Sequence, residues 1–112
     1  MNKVSRLIKN EKIAMEAINK QKAFDLVEDE NVEQLEIKVV ATIGSYKDVE
    51  YTIVKNPEVG LDYYCDNLTV NDYLLNADIT ADDIIEKGKS FQLVKLERSS
   101  YSEIYNLIKS FV

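Results

Sequence analysis

The sequence predicts an α+β domain with an N-terminal helix, a three- to four-stranded and mainly antiparallel sheet centred on a 35–55 hairpin, short helices over 69–76 and 80–87, and a C-terminal helix. Three observations lead there. Period-two alternation runs through LEIKVVATIGSYKDVEYTIVK at 35–55, helix-start signals recur at Thr69, Thr80 and Ser100, and 112 residues with 46% apolar content suffice for one compact domain.

The hairpin is the firmest element. Leu35, Ile37, Val39, Ala41 and Ile43 share one face of its first strand, and Val49, Tyr51 and Ile53 share the matching face of the second. Glu36, Lys38, Thr42, Glu50 and Thr52 occupy the other face, so one side meets a core and the other meets mostly water. Gly44 to Asp48 reads as a five-residue loop, and Asn56-Pro57-Glu58 as the turn that ends the second strand.

Before the hairpin, residues 3–20 contain no Pro or Gly and place Val4, Leu7, Ile8, Ala14, Met15 and Ile18 at roughly helical spacing. Phe24, Leu26 and Val27 follow as buried residues of a helix end or short strand, and Glu28-Asp29-Glu30-Asn31 is an exposed loop. After the hairpin, Val59, Leu61, Tyr63 and Cys65 alternate with polar or small residues as a third strand. Thr69 and Thr80 stand as N-caps, each with an Asp three positions later, and Gly88 stops the second short helix. Residues 90–97, SFQLVKLE, read as a strand buried on both faces. Ser100 and Glu103 form a capping box ahead of the stripe Tyr101, Ile104, Ile108 and Phe111.

Composition excludes several chemistries. The chain has no histidine, which removes the commonest general base and transition-metal ligand. The acids of 28–36 lack the spacing of a calcium loop, and the isolated glycines make no phosphate cradle. Cys65, the single cysteine, has no His to activate it and reads as a small buried hydrophobe. No cofactor, no metal and no catalytic residue are therefore expected, and the chain reads as a non-enzyme. No apolar run has signal-peptide or transmembrane length, and a lone cysteine suits a reducing compartment, so a cytoplasmic location is expected. The excess of Lys over Arg with abundant Asn, Ile and Tyr is the composition expected from an AT-rich genome, as in a low-GC bacterium or its phage.

Charge is segregated. Residues 1–24 carry +4, residues 25–86 carry −13 and residues 87–112 carry +3, summing to the net −6. Such an acidic centre suits a binding protein that inhibits or neutralises a basic partner, with carboxylates imitating nucleic-acid phosphates and tyrosines supplying contact area. The candidate partner-binding residues are Asp48, Glu58, Asp62, Asp66, Asp72, Asp82, Asp83 and Glu86, with Tyr46, Tyr63, Tyr64 and Tyr73 as anchors. A phage or mobile-element inhibitor, or an immunity protein, acting as a monomer or homodimer without binding nucleic acid or membrane itself, fits this pattern. The alternative is a structural or assembly component of a virion or scaffold that acts by self-association.

The capping signals generate a stability test. Thr80→Ala should cost about 0.5–2 kcal/mol by removing the acceptor at the start of its helix. An unchanged denaturant midpoint would mean that the helix start is misplaced.

Overall fold

A computed structural model of the chain describes residues 8–12 and 15–99. Among them, β1 (Ile8–Lys12), β2 (Glu16–Ile18), β3 (Val32–Ile43), β4 (Tyr46–Asn56), β5 (Gly60–Tyr64) and β6 (Gly88–Ser99) form one sheet. Its order is β1-β6-β3-β4-β5, with β2 pairing the same edge of β6 as β1, and every pairing is antiparallel. Helices α1 (Lys20–Glu28), α2 (Leu68–Asn76) and α3 (Ala81–Lys87) complete the α+β fold.

The hairpin is longer and tighter than its loop residues suggest. Ile43 pairs with Tyr46, so Gly44 and Ser45 alone make the turn, with Gly44 at φ +60°. Of the other expected loop residues, Tyr46 joins the ladder and Lys47 and Asp48 form a bulge opposite Thr42, where Asp48 adopts φ +50°. Thr42 steadies it: its hydroxyl accepts the Asp48 N–H at 3.0 Å.

The helix-facing side of the sheet is assembled in rows across the strands. Leu93, Ile37, Ile53 and Tyr63 stand in register in one row, and Phe91, Val39 and Tyr51 in the next. In β6 the expectation of burial on both faces is corrected. The register shifts between Glu36 and Ile37, leaving Val94 as an extra residue, so that Leu96 turns back to the same side as Phe91 and Leu93 and pairs with Leu35. All three are buried. On the opposite side Thr52, expected to face water, is only 5% exposed; Lys38 and Tyr64 flank it in register, and its hydroxyl accepts from Lys38 Nζ at 3.4 Å.

The N-terminal helix expected over 3–20 is not what the described residues form. Residues 8–12 and 16–18 are strands, and the remainder of that span lies outside the described residues apart from Met15, Asn19 and Lys20. Long-range pairing to β6 overrides a local pattern that was helical only by spacing, and it brings the sheet to five positions rather than three or four. A helix does start at Asn19, whose side-chain oxygen accepts the Lys22 N–H at 2.8 Å. It carries Ala23, Leu26 and Val27 to the core as one stripe. The C-terminal helix expected from Ser100 onward lies outside the described residues.

The exit of α1 is tied to two strands. Lys55, at a core-facing position of β4, carries its ammonium out to donate to the carbonyls of Val27 (3.1 Å) and Asp29 (2.9 Å), where a helix C-terminus favours a cation. The Asp29 carboxylate accepts the Asn31 N–H at 2.9 Å and pairs with Arg98 of β6 at 2.6 Å. The Asn31 N–H, chiefly, and the Arg98 guanidinium hold the Asp29 carboxyl below its ordinary value of 3.8, against partial desolvation.

Gly88 ends α3, although not by a left-handed cap. Its backbone is extended at φ −65°, and a Cβ there would lie 2.5 Å from Phe91 Cζ and 2.8 Å from Val39 Cγ1. The glycine is required because a core ring occupies the space of its missing side chain. Gly88→Ala should accordingly cost about 1–3 kcal/mol through overpacking, read as a lowered denaturant midpoint. Asp29→Asn should flatten acid denaturation. A carboxyl depressed in the folded state lends stability above its unfolded pKa of about 3.9 and forfeits it as pH falls through the folded value. The variant should lie closest to the parent at the lowest pH and fall furthest below it near pH 7; an equal offset at every pH would show that Asp29 is not linked.

Candidate functional site

From Asn56 to Glu86 the chain contains eight carboxylates and no Lys or Arg. These thirty-one residues form the β4–β5 turn, β5, α2 and α3 as far as Glu86, at the β5 edge of the sheet; Lys87 closes α3, and Lys20 Nζ donates to the Glu86 carbonyl at 2.6 Å. Among the described residues, Glu58, Asp62, Asp66, Asp72, Asp78, Asp82, Asp83 and Glu86 enter no ion pair. All eight are exposed.

Local chemistry explains each position. Asn56 builds the turn by accepting the N–H groups of Glu58 and Val59, both at 2.9 Å, and Gly60 at φ +73° admits β5. Asp62 pairs with Val54, on the sheet side away from the core, and its carboxylate accepts the Tyr63 N–H at 2.7 Å. Just beyond β5, Asn71 of α2 clamps Cys65 with a paired contact: the Cys65 N–H donates to Asn71 Oδ1 at 3.0 Å, and Asn71 Nδ2 donates to the Cys65 carbonyl at 2.8 Å. A side-chain amide thus stands in for a neighbouring strand where β5 ends.

Asn67, not Thr69, caps α2, accepting the Val70 N–H at 3.1 Å, so the helix begins one residue before the expected 69. Thr80 caps α3 as expected. Its hydroxyl accepts the Asp83 N–H at 3.2 Å while Asp83 accepts the Thr80 N–H at 2.9 Å. These bonds lower the Asp83 pKa.

The sequence-predicted residues divide into groups. Glu58, Asp62, Asp66, Asp72, Asp82, Asp83 and Glu86 fall within the β5–α2–α3 unit, Asp83 also serving as a capping residue. Asp48 stands apart at the hairpin end, where Lys89 of β6 pairs with it at 2.8 Å and lowers its pKa. Tyr46 and Tyr73 meet edge to face at 5.2 Å between ring centres, and the Tyr73 hydroxyl covers Gly44, fastening the hairpin turn to α2. Tyr63 is half-buried, and its hydroxyl donates to the Ile79 carbonyl between α2 and α3. Tyr64 is 48% exposed and Tyr73 40%, so these two retain free surface.

Sequence reasoning passed over Leu68 and Leu75, which are 79% and 74% exposed. The expected helix over 69–76 leaves Leu68 outside it; once the helix begins at Leu68, the separation of seven residues places the two leucines on one face. The sequence also gives no hint that the fully buried Tyr51 keeps a hydroxyl with no hydrogen-bond partner among the described residues; burial raises its pKa.

A shallow depression of about 340 Å³ at the β4–β5 turn is lined by Gln34, Asn56, Pro57 and Glu58. Among the described residues no group of three His, Cys, Asp or Glu is placed to hold a metal ion, and no helix is long and apolar enough to cross a membrane. Comparison with protein-family models, curated proteins and solved structures returns no match.

The clamp makes its own prediction. Asn71→Ala strips two hydrogen bonds from the half-buried end of β5 and should cost about 1–3 kcal/mol. Hydrogen exchange should quicken at Cys65 first; unchanged protection there would remove Asn71 from the scheme.

Proposed function

We propose that this chain is a small non-catalytic binding protein that inhibits or neutralises a partner whose own working surface is basic, such as a nucleic-acid-binding protein. The observation that supports the reading is the run from Asn56 to Glu86, in which eight exposed carboxylates and no Lys or Arg fall within thirty-one residues. Carboxylates held on a rigid sheet edge and two helices present negative charge at fixed positions, as a phosphate backbone does. A partner with matching Lys and Arg gains long-range attraction, which salt screens over a length of about 10 Å at 0.1 M. Asp48, already paired with Lys89, is the weakest member of the candidate set, while Glu58, Asp62, Asp66, Asp72, Asp82 and Glu86 are its centre. A cytoplasmic inhibitor from a phage or mobile element, or an immunity protein, is the role this surface suits best.

The test reverses charge where the fold does not use it. Asp82→Lys with Glu86→Lys leaves the Thr80–Asp83 capping box untouched and should alter stability by no more than about 0.5 kcal/mol per site. A basic partner captured from host lysate at low ionic strength should associate with this variant more slowly, chiefly through the on-rate, and should be released as salt rises. Affinity unchanged from low to high salt, or direct DNA binding by the isolated chain, would overturn the reading.

A further inference from the structure

Helices α2 and α3 are neighbours of similar length, and they treat their outer faces differently. In α3 the buried residues are Ala81, Ile84 and Ile85, and Asp82, Asp83, Glu86 and Lys87 face outward, as a solvated helix requires. In α2, Val70 and Leu74 are buried and Asn71 reaches the Cys65 backbone, so the opposite arc is centred on Asp72, with Leu68 and Leu75 to one side of it and the exposed Thr69 and Asn76 to the other. Leu68, Asp72 and Leu75 follow an i, i+4, i+7 spacing, with the leucines about 10 Å apart along the axis. Both leucines are about three-quarters exposed. Exposed single leucines are ordinary, but two on one face of a helix whose neighbour shows the normal pattern form an apolar pair with no cover among the described residues.

What covers it follows from charge. A second copy packing α2 against α2 in antiparallel fashion would set Leu68 against Leu75 and bring Asp72 against Asp72, with Asp66 and Asp78 also uncompensated around the contact. Like charges at the centre of a two-fold contact disfavour that occupant. A partner that sets aliphatic side chains on the leucines and a Lys or Arg on Asp72 satisfies all three residues.

We propose that the outer face of α2, Leu68–Asp72–Leu75, is the anchor at which the basic partner docks, with aliphatic groups of that partner on the leucines and its Lys or Arg on Asp72. This rests on the acidic-surface reading and divides its labour. The surrounding carboxylates govern how fast the partner arrives, and the two leucines govern how long it stays.

The test uses the whole protein and three synthetic probes: an amphipathic Leu/Lys peptide, an oligolysine of equal charge, and a Leu/Glu peptide. The Leu/Lys peptide should bind about tenfold or more tightly than oligolysine, shifting the amide resonances of Leu68, Asp72 and Leu75, while the Leu/Glu peptide should not bind. Leu68→Ser with Leu75→Ser, checked for an unchanged melt, should lower affinity for Leu/Lys to the oligolysine level through faster dissociation, with the salt dependence kept. Asp72→Ser should weaken the Leu/Lys complex and leave the apolar contact.

If Leu/Lys and oligolysine bind equally, and the serine variant matches the parent, the α2 anchor fails while the acidic surface stands. If neither basic probe binds at any salt concentration, both readings fail. A salt-insensitive dimer of the parent that the serine variant abolishes would assign the leucines to a second copy and overturn the anchor.

Discussion

Strand β3 must keep Leu35, Ile37, Val39, Ala41 and Ile43 on one side while both of its neighbours do the same in register, and the rest of the structure depends on this. A slip of one residue against either β4 or β6 would carry a whole apolar set to the wrong face. Burial of each large aliphatic group contributes about 1.5–3 kcal/mol, so the loss would run across several residues together. The extra residue at Val94 shows the constraint acting: strict alternation would send Leu96 away from Leu93, and the bulge brings it back beside Leu35. Gly88 answers the same demand at the other end of β6, since Phe91 must lie where a side chain would otherwise stand.

Once the apolar rows are set on one side, polar groups have to close the ends. Lys55 occupies a core-facing position and still reaches the exposed carbonyls of α1, so one side chain both covers apolar surface and neutralises a helix terminus. At the opposite edge, Asn71 occupies the backbone of Cys65 and Asp62 occupies the N–H of Tyr63. An edge strand is ordinarily a template for another strand. Here the N–H of one edge residue, Tyr63, and the backbone of Cys65 just past the strand are already satisfied by side chains, which blunts that edge as a template.

The legible parts of the fold were those in which local pattern and tertiary demand agree. The hairpin, the Thr80 cap and the stop at Gly88 could be read because alternation, a capping box and a break in the helix pattern each leave a local trace. The N-terminal strands could not, since Ile8–Lys12 reads IKNEK, polar enough for an exposed edge, and acquires its strand character only from pairing with β6. Asn67 was passed over as a cap because Thr69 offered an equally good hydroxyl two residues on. The acidic unit was legible as charge, but its division was not: that Asp48 is neutralised by Lys89, that Asp83 is spent on a cap, and that Tyr46 and Tyr73 hold each other are facts of distance.

The surface from Glu58 to Glu86 can be separated from the forces that hold the domain together. Of its eight carboxylates, only Asp62 and Asp83 bond the backbone; the other six neither pair nor cap among the described residues. Their mutual repulsion opposes the compact state, and a mixed surface with interspersed lysines would confer solubility without that cost. The same chain does mix signs elsewhere, at Lys38 with Glu50 and at Lys89 with Asp48. The negative charge from Glu58 to Glu86 meets positive charge only at its border, where Lys87 closes α3 and the Lys20 ammonium donates to the Glu86 carbonyl at 2.6 Å, so no requirement of the fold accounts for the six carboxylates that neither pair nor cap among the described residues.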